Sequence, residues 1–252
     1  MGFHAPELRA FRDDLRQSGV GSVDAFLEYR PEFIHLGKTA IAEALIPFED
    51  EEKLFSSKNN WMGYLLEKLN APLDKFDKNR LSVITFNYDR SVEWYLFKAL
   101  RARYGLNPQR AQELLHHVPI IHVHGILGGL PWEQNGREYI PRPERNGVYL
   151  ARERIKIIHE EIKKDPEFEH ARQAMINAHR IIYLGFGYHP VNVQRIATYF
   201  TGRRVTHVFG SAFGLTKIEQ ASVLKRLSHQ CTFGNADWDV LRTLRELVDL
   251  ED

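Results

Sequence analysis

The chain has 252 residues, 43% of them hydrophobic, and a formal net charge of +1. That length suits one large domain; no apolar run approaches the roughly 20 residues that cross a bilayer; and the near-neutral charge excludes a strong nonspecific nucleic-acid footprint, leaving only a local basic patch at Arg203 and Arg204. A single cysteine, Cys231, rules out an intrachain disulfide and a cysteine-based zinc site. The polar start, MGFHAPELRAFRDDLRQ, has no apolar signal core, and Pro6 stands where a myristoylation site has Ser or Thr. The expectation is a cytoplasmic chain with no membrane partner.

The front of the chain reads as helices. Residues 6–17 place Leu8, Phe11 and Leu15 on one face. A short helix capped by Ser22 runs to Tyr29, a third covers Phe33 to Leu45 before Pro47, and a fourth runs from Trp61 to Leu69. The pattern then changes. Leu81–Phe86 is a short apolar strand that ends at Asn87-Tyr88-Asp89, followed by a helix over Arg90–Tyr104. Val118–Val123 is a second strand, ending at His124-Gly125. A loop rich in Gly, Pro and Arg runs to about Gly147, and a long helical segment covers Leu150–Ala178, broken at Asp165-Pro166. Ile181–Leu184 is a third strand, closed by Gly185-Phe186-Gly187, with a helix after Pro190. Val205–Phe209 is a fourth, closed by Gly210-Ser211 and followed by a helix over Leu215–Leu227. Gln230–Phe233 is a last short strand before a terminal helix over 236–249. There is no internal repeat and no low-complexity linker. Strands alternating with helices imply right-handed crossovers, an α/β fold and a mostly parallel sheet flanked by helices. The polar and glycine residues gather past the carboxyl ends of the strands, the edge where open α/β sheets bind ligands.

Three clusters carry chemistry. Thr85-Phe86-Asn87-Tyr88-Asp89 puts an amide and a carboxylate at a strand end; alternatively Asn87 or Asp89 caps the following helix. His122 and His124 share a strand face. They suit either two metal ligands or a structural His122 with His124 as a general base at the strand tip; no further ligand set has convincing spacing, so no metal is expected. Gly185-Phe186-Gly187 lets a phosphate or ribose approach the backbone before a helix N-terminus, or serves as a tight turn, and Gly210-Ser211 repeats the pattern.

In that order, strand–Asn-Tyr-Asp, strand–His-Gly, strand–Gly-x-Gly, strand–Gly-Ser, the chain resembles the sirtuin-like family. The likeness is to its bacterial members, some of which consume NAD in antiphage defence. The resemblance spans nearly the whole chain and rests most specifically on Thr85–Asp89 and His124-Gly125. It implies a single domain over 1–252, with a mainly helical part (1–78) and a Rossmann-like part (79–252). It implies NAD as substrate or ligand and hydrolysis of the nicotinamide–ribose bond. Asn87 would hold the ribose and a water at the anomeric carbon, Asp89 would contact the carboxamide, and His124 would act as base. Thr85, Phe86, Tyr88, Gly125, Gly185, Phe186, Gly187, Gly210 and Ser211 would line the nucleotide. The alternative is a non-catalytic NAD- or ADP-ribose-binding or scaffold module.

The sequence departs from that family in two places. Residues 125–147 lack the two Cys-x-x-Cys pairs of the deacylating members, which favours plain NAD hydrolysis over deacylation. The family opens with a strand and a Gly-Ala-Gly-x-Ser loop, whereas Gly2–Leu8 resembles the segment that follows that loop. The expected central strand, between those ending at Asn87 and Gly185, would then be encoded upstream, supplied by a partner or oligomer, or lost together with nucleotide affinity.

Overall fold

The computed structural model of the chain describes residues 3–56, 60–69, 72–157, 165–197, 205, 207–227 and 231–250. In chain order its helices are α1 (Ala5–Gln17), α2 (Val23–Tyr29), α3 (Ile34–Leu45), α4 (Glu51–Ser56), α5 (Trp61–Lys68), α6 (Ser91–Tyr104), α7 (Pro108–Leu115), α8 (Arg145–Arg154), α9 (Pro166–Asn177), α10 (Pro190–Ala197), α11 (Lys217–Leu227) and α12 (Val240–Leu247). The strands are β1 (Val83–Thr85), β2 (Ile120–His122), β3 (Arg180–Tyr183), β4 (His207–Gly210) and β5 (Thr232–Phe233). Every pairing between these strands is parallel. One sheet is β1-β2 and the other is β3-β4-β5. The fold is mixed α/β, with short parallel sheets and helices between the strands.

The chain divides into two compact units, Met1–Ser57 with Arg80–Glu167, and Lys58–Asn79 with Phe168–Asp252. The helical front is thus shared between them: α1 to α4 belong with β1 and β2, whereas α5 belongs with β3 to β5.

In the first unit, α2 starts where Ser22 accepts a hydrogen bond from Ala25 N at 3.2 Å, satisfying a helix-end donor. The Phe11 ring meets those of Phe26 and Phe33 edge-on, at 5.8 and 5.6 Å. Burying each such ring contributes on the order of 1.5–3 kcal/mol. Leu8, expected on the same buried face, is 45% exposed; the apolar stripe of α1 is narrower than its spacing suggests, because Phe11 fills the contact with α2 and the turn after it. Helix α3 packs against α8. Gly37 of α3 lets Leu27 of α2 lie directly against its backbone, where any side chain would collide. Leu127, Val148, Ile155 and Ile157 complete this core.

The helix expected over Leu150–Ala178 is interrupted earlier than Asp165-Pro166. Helix α8 stops at Arg154, and Ile155 is extended and bridges antiparallel to Gly125. Lys156 N donates to His124 O at 2.9 Å and Ile126 N to Arg154 O at 3.1 Å. These two bonds satisfy backbone groups of the loop that a continuing helix would leave buried and unpaired. Helix α9 then begins at Pro166, a position where proline is favoured because the first helical N–H has no partner anyway. Helices α4 and α7 were not anticipated. The second carries its own start signal, Asn107 accepting from Arg110 N at 2.8 Å ahead of Pro108.

In the second unit, β3 and β4 run in register from Arg180↔His207 to Tyr183↔Gly210, and β5 adds to β4. Helix α10 packs on α11, and α12 on α5. Asn60 caps α5 and Asp239 caps α12, accepting from Arg242 N at 2.7 Å. The terminal helix is therefore shorter than the expected 236–249. Arg203, Arg204 and Gln230 lie outside the described residues. No described helix is long and apolar enough to cross a membrane.

Candidate functional site

The first unit brings two of the sequence clusters to one edge. The β1-β2 register sets Thr85 beside His122, so both chains leave the sheet together at its carboxyl end. Val123 N donates to Thr85 O at 3.1 Å, continuing the ladder by one bond. Past that bond, the rings of Phe86 and His124 sit 5.2 Å apart. Thr85 Oγ1 accepts from Asn87 N at 3.0 Å and turns the chain out of the strand. Asn87 itself is exposed, whereas His124 is 6% exposed. Asp89 Oδ1 accepts from Ser91 N at 3.1 Å, beside the start of α6. Neither candidate is the cap residue of that helix: the position belongs to Arg90, no side chain caps the end, and the Asp89 carboxylate closes a local turn just before it.

Tyr88 turns inward. Its ring joins the core, and its hydroxyl donates to a carboxylate oxygen of Asp24 on α2. Burial pushes the Asp24 carboxyl above its ordinary value, although the Tyr88 bond and a backbone bond pull it down. Tyr88 therefore ties the exposed amide at position 87 to the helical layer beneath it.

His122 lies two residues before His124 and is engaged at both ring nitrogens. Nδ1 is 2.9 Å from the Asn87 carbonyl oxygen, and Nε2 is 2.6 Å from Glu93 Oε1 on α6. Burial alone would lower its pKa. The Glu93 hydrogen bond and charge, the Asn87 carbonyl and the charge of Asp89 outweigh that, and hold the imidazole above its ordinary value. With both nitrogens occupied, His122 presents no lone pair for a metal shared with His124. No group of three or more His, Cys, Asp or Glu among the described residues could hold a metal ion.

Glu93 was missed by sequence reasoning, although a signal was present. It falls in helical step with Leu96, Phe97 and Leu100, all buried, which places a carboxylate on an apolar face. A second omission is the buried cluster that frames the edge. Glu49, from the turn after α3, accepts from the Arg90 backbone N (3.1 Å), Nε (2.9 Å) and Nη2 (2.6 Å), and also from Arg137. Arg90 further donates to the carbonyls of Gly129, Arg137 and Glu138 at 2.6, 2.7 and 3.0 Å. Residues 126–139 are thereby folded against the start of α6. Tyr139 hydrogen-bonds Ser91 at 3.1 Å and stacks on Trp94 at 5.0 Å. Burial pushes the Tyr139 hydroxyl up to about 12, so it stays protonated.

Gly125 has φ +79°, and any side chain there would collide with the Arg154 carbonyl. Its role here is close approach of its own chain at the bridge to Ile155.

The remaining candidates lie in the second unit. Gly185 (φ +58°) and Gly187 are exposed after β3, with Phe186 half-buried between them. Ser211 is buried and links both turns: its Oγ accepts from Gly185 N at 2.8 Å, and its N donates to Tyr183 O at 2.8 Å. Tyr188 adopts φ +49°, uncommon for a bulky residue. Its hydroxyl donates to Ser211 O at 3.0 Å and fills the room left by the missing side chain of Gly210, together with the Phe233 ring. The space at Gly210 is thus taken by the protein itself, and the open glycines are Gly185 and Gly187.

Compared with protein-family models, with curated proteins and with solved structures, the chain matches none.

Proposed function

We propose that the carboxyl edge of the β1-β2 sheet binds NAD and hydrolyses its nicotinamide–ribose bond, within a Rossmann-like, sirtuin-like fold. The observation that carries this reading is the His122–Asn87 hydrogen bond, which holds the Asn-Tyr-Asp turn against the strand that ends in His124-Gly125. An exposed amide, a carboxylate and an imidazole then belong to one strand edge. In the reaction the glycosidic C–N bond breaks with its electron pair leaving on neutral nicotinamide. A water oxygen bonds to the anomeric carbon, and its proton passes to a base. The leaving group needs no acid, so the useful groups are those that orient water, accept a proton near neutrality and stabilise a cation. Asn87, His124 and Asp89 fit these three roles in that order. The proposal rests on the first unit alone and leaves out the nucleotide-lining roles expected of Gly185, Phe186, Gly187, Gly210 and Ser211.

The experiment is nicotinamide release from NAD by the purified chain. Turnover abolished by His124→Ala and sharply reduced by Asn87→Ala supports the reading. No release by wild-type protein, with or without extract of phage-infected cells, ends it. A second reading, nucleotide binding without turnover, is favoured by the burial of His124, since a base must reach the proton it takes. It predicts a calorimetric signal with NAD or ADP-ribose and no nicotinamide. A role in antiphage defence stands or falls with the first reading.

A further inference from the structure

We propose that His122 and Glu93 form a positioning couple that shares one proton across their contact and thereby fixes the peptide carrying Asn87. The inference rests on geometry. The Asn87 carbonyl can only accept, so His122 Nδ1 carries a hydrogen. That leaves Nε2, 2.6 Å from a carboxylate oxygen. A bare nitrogen lone pair facing a bare carboxylate at that distance is repulsive, so a proton lies between them, carried by Nε2 as the stronger base of the two. The two side chains are buried, at 7% and 8% exposed, and water does not replace the bond.

Three elements meet in this couple. His122 comes from the end of β2, Glu93 from the first turn of α6, and the carbonyl from the turn after β1. The charged and titratable groups that face the imidazole are Glu93 from α6 and Asp89 from the turn, both acidic. Both favour retention of the proton. The turn is also held by Asn87 N donating to Thr85 Oγ1 and by Leu127 N donating to Tyr88 O. Here a charge-assisted bond, roughly twice as strong as a neutral one, anchors the ring that holds it. His122 and Glu93 are positioning residues; under the proposed reaction they act on substrate through Asn87.

The test has one arm independent of activity and one that rests on the NAD reading. Long-range 1H–15N correlation spectra of the full chain, with His122 assigned through His122→Gln, read the protonation of both ring nitrogens. The expected result is protonated-type shifts for both at neutral pH, above the roughly 6.5 at which an ordinary histidine titrates. In Glu93→Gln, Nε2 should change to the unprotonated type, and the Asn87 amide and carbonyl resonances should shift. A bare Nε2 in the wild-type protein overturns the shared proton. Unmoved Asn87 resonances in both variants overturn the positioning. In the second arm, kcat for NAD hydrolysis falls about 10–100-fold in Glu93→Gln with KM little changed, as expected when a reacting group is displaced. Unchanged kcat in an active enzyme also overturns the positioning. A wild-type chain that shows the shared proton but leaves NAD intact supports the couple and refutes the hydrolase.

Discussion

Replacing Glu49 tests how the site edge is held. Glu49 is fully buried and is the carboxylate that both Arg90 and Arg137 contact. Glu49→Ala leaves two guanidinium groups inside the protein without their counter-charge, although the carbonyls of Leu127, Gly129, Arg137 and Glu138 still accept from them. Removing one partner of a buried pair costs about 3–5 kcal/mol, because the stranded charge remains desolvated. Two stranded charges place this variant at the upper end. Water entering the vacated space offsets part of the cost. In urea, with a slope of about 2–3 kcal/mol per molar, the midpoint should drop by about 1–2 M. Trp94 and Trp132 lie in the same unit, stacked with ring centroids 6.2 Å apart, so fluorescence in a background lacking Trp61 and Trp238 reports this unit. Glu49→Gln, which keeps the shape but loses the charge, should show a smaller drop of the same sign. A midpoint within about 0.3 M of wild type in Glu49→Ala would show that the guanidinium groups are not desolvated as the geometry requires, and the reasoning would fail.

Other outcomes can be checked in the same preparations. Gly125→Ala forces a methyl group onto the Arg154 carbonyl at φ +79°; it should cost about 2–4 kcal/mol and lower the melting temperature, and a wild-type melting curve would refute the close approach. Tyr88→Phe removes the hydroxyl bond to Asp24 and should cost about 1–2 kcal/mol in urea unfolding. Because the Asp24 pKa is raised in the folded state, its contribution is fully present below the unfolded value of about 3.9 and is lost as pH rises through the folded value. Asp24→Asn, which keeps an acceptor for Tyr88, should therefore flatten the pH dependence of stability above about pH 4, and an unchanged profile would count against that assignment. Burial pushes the Cys231 thiol up to about 12, so a thiol reagent at mildly alkaline pH should modify it only after unfolding; rapid modification of the native protein would contradict this.

Much of the architecture was legible in the chain itself. The alternation of short apolar runs with helical periodicity gave the order of the five described strands, because a strand must be brief and apolar when helices cover it. The turn at Asn87-Tyr88-Asp89 and the His124-Gly125 strand end were readable from residue type and place. Their adjacency was implied by the family resemblance, and β1 and β2 do pair in parallel. What the one-dimensional pattern could not supply is who satisfies whom. Glu49 reaches Arg90 across 41 positions and His122 reaches Glu93 across 29. A charged residue reads as solvated surface until a partner of opposite sign meets it in the interior. The same limit hid the stop of α8 at Arg154, since the helix gives way to a bridge only because Gly125, far away in sequence, leaves room for it. It also hid the interleaving of the two units. Sequence alone decided which apolar segments hold the described strands, although β1, β2 and β5 are shorter than those runs, β3 starts and stops one residue earlier, and Gly210 ends β4 instead of following it; tertiary structure decided which residues face water and which are locked, because burial and pairing are properties of neighbours in space and not of neighbours along the chain.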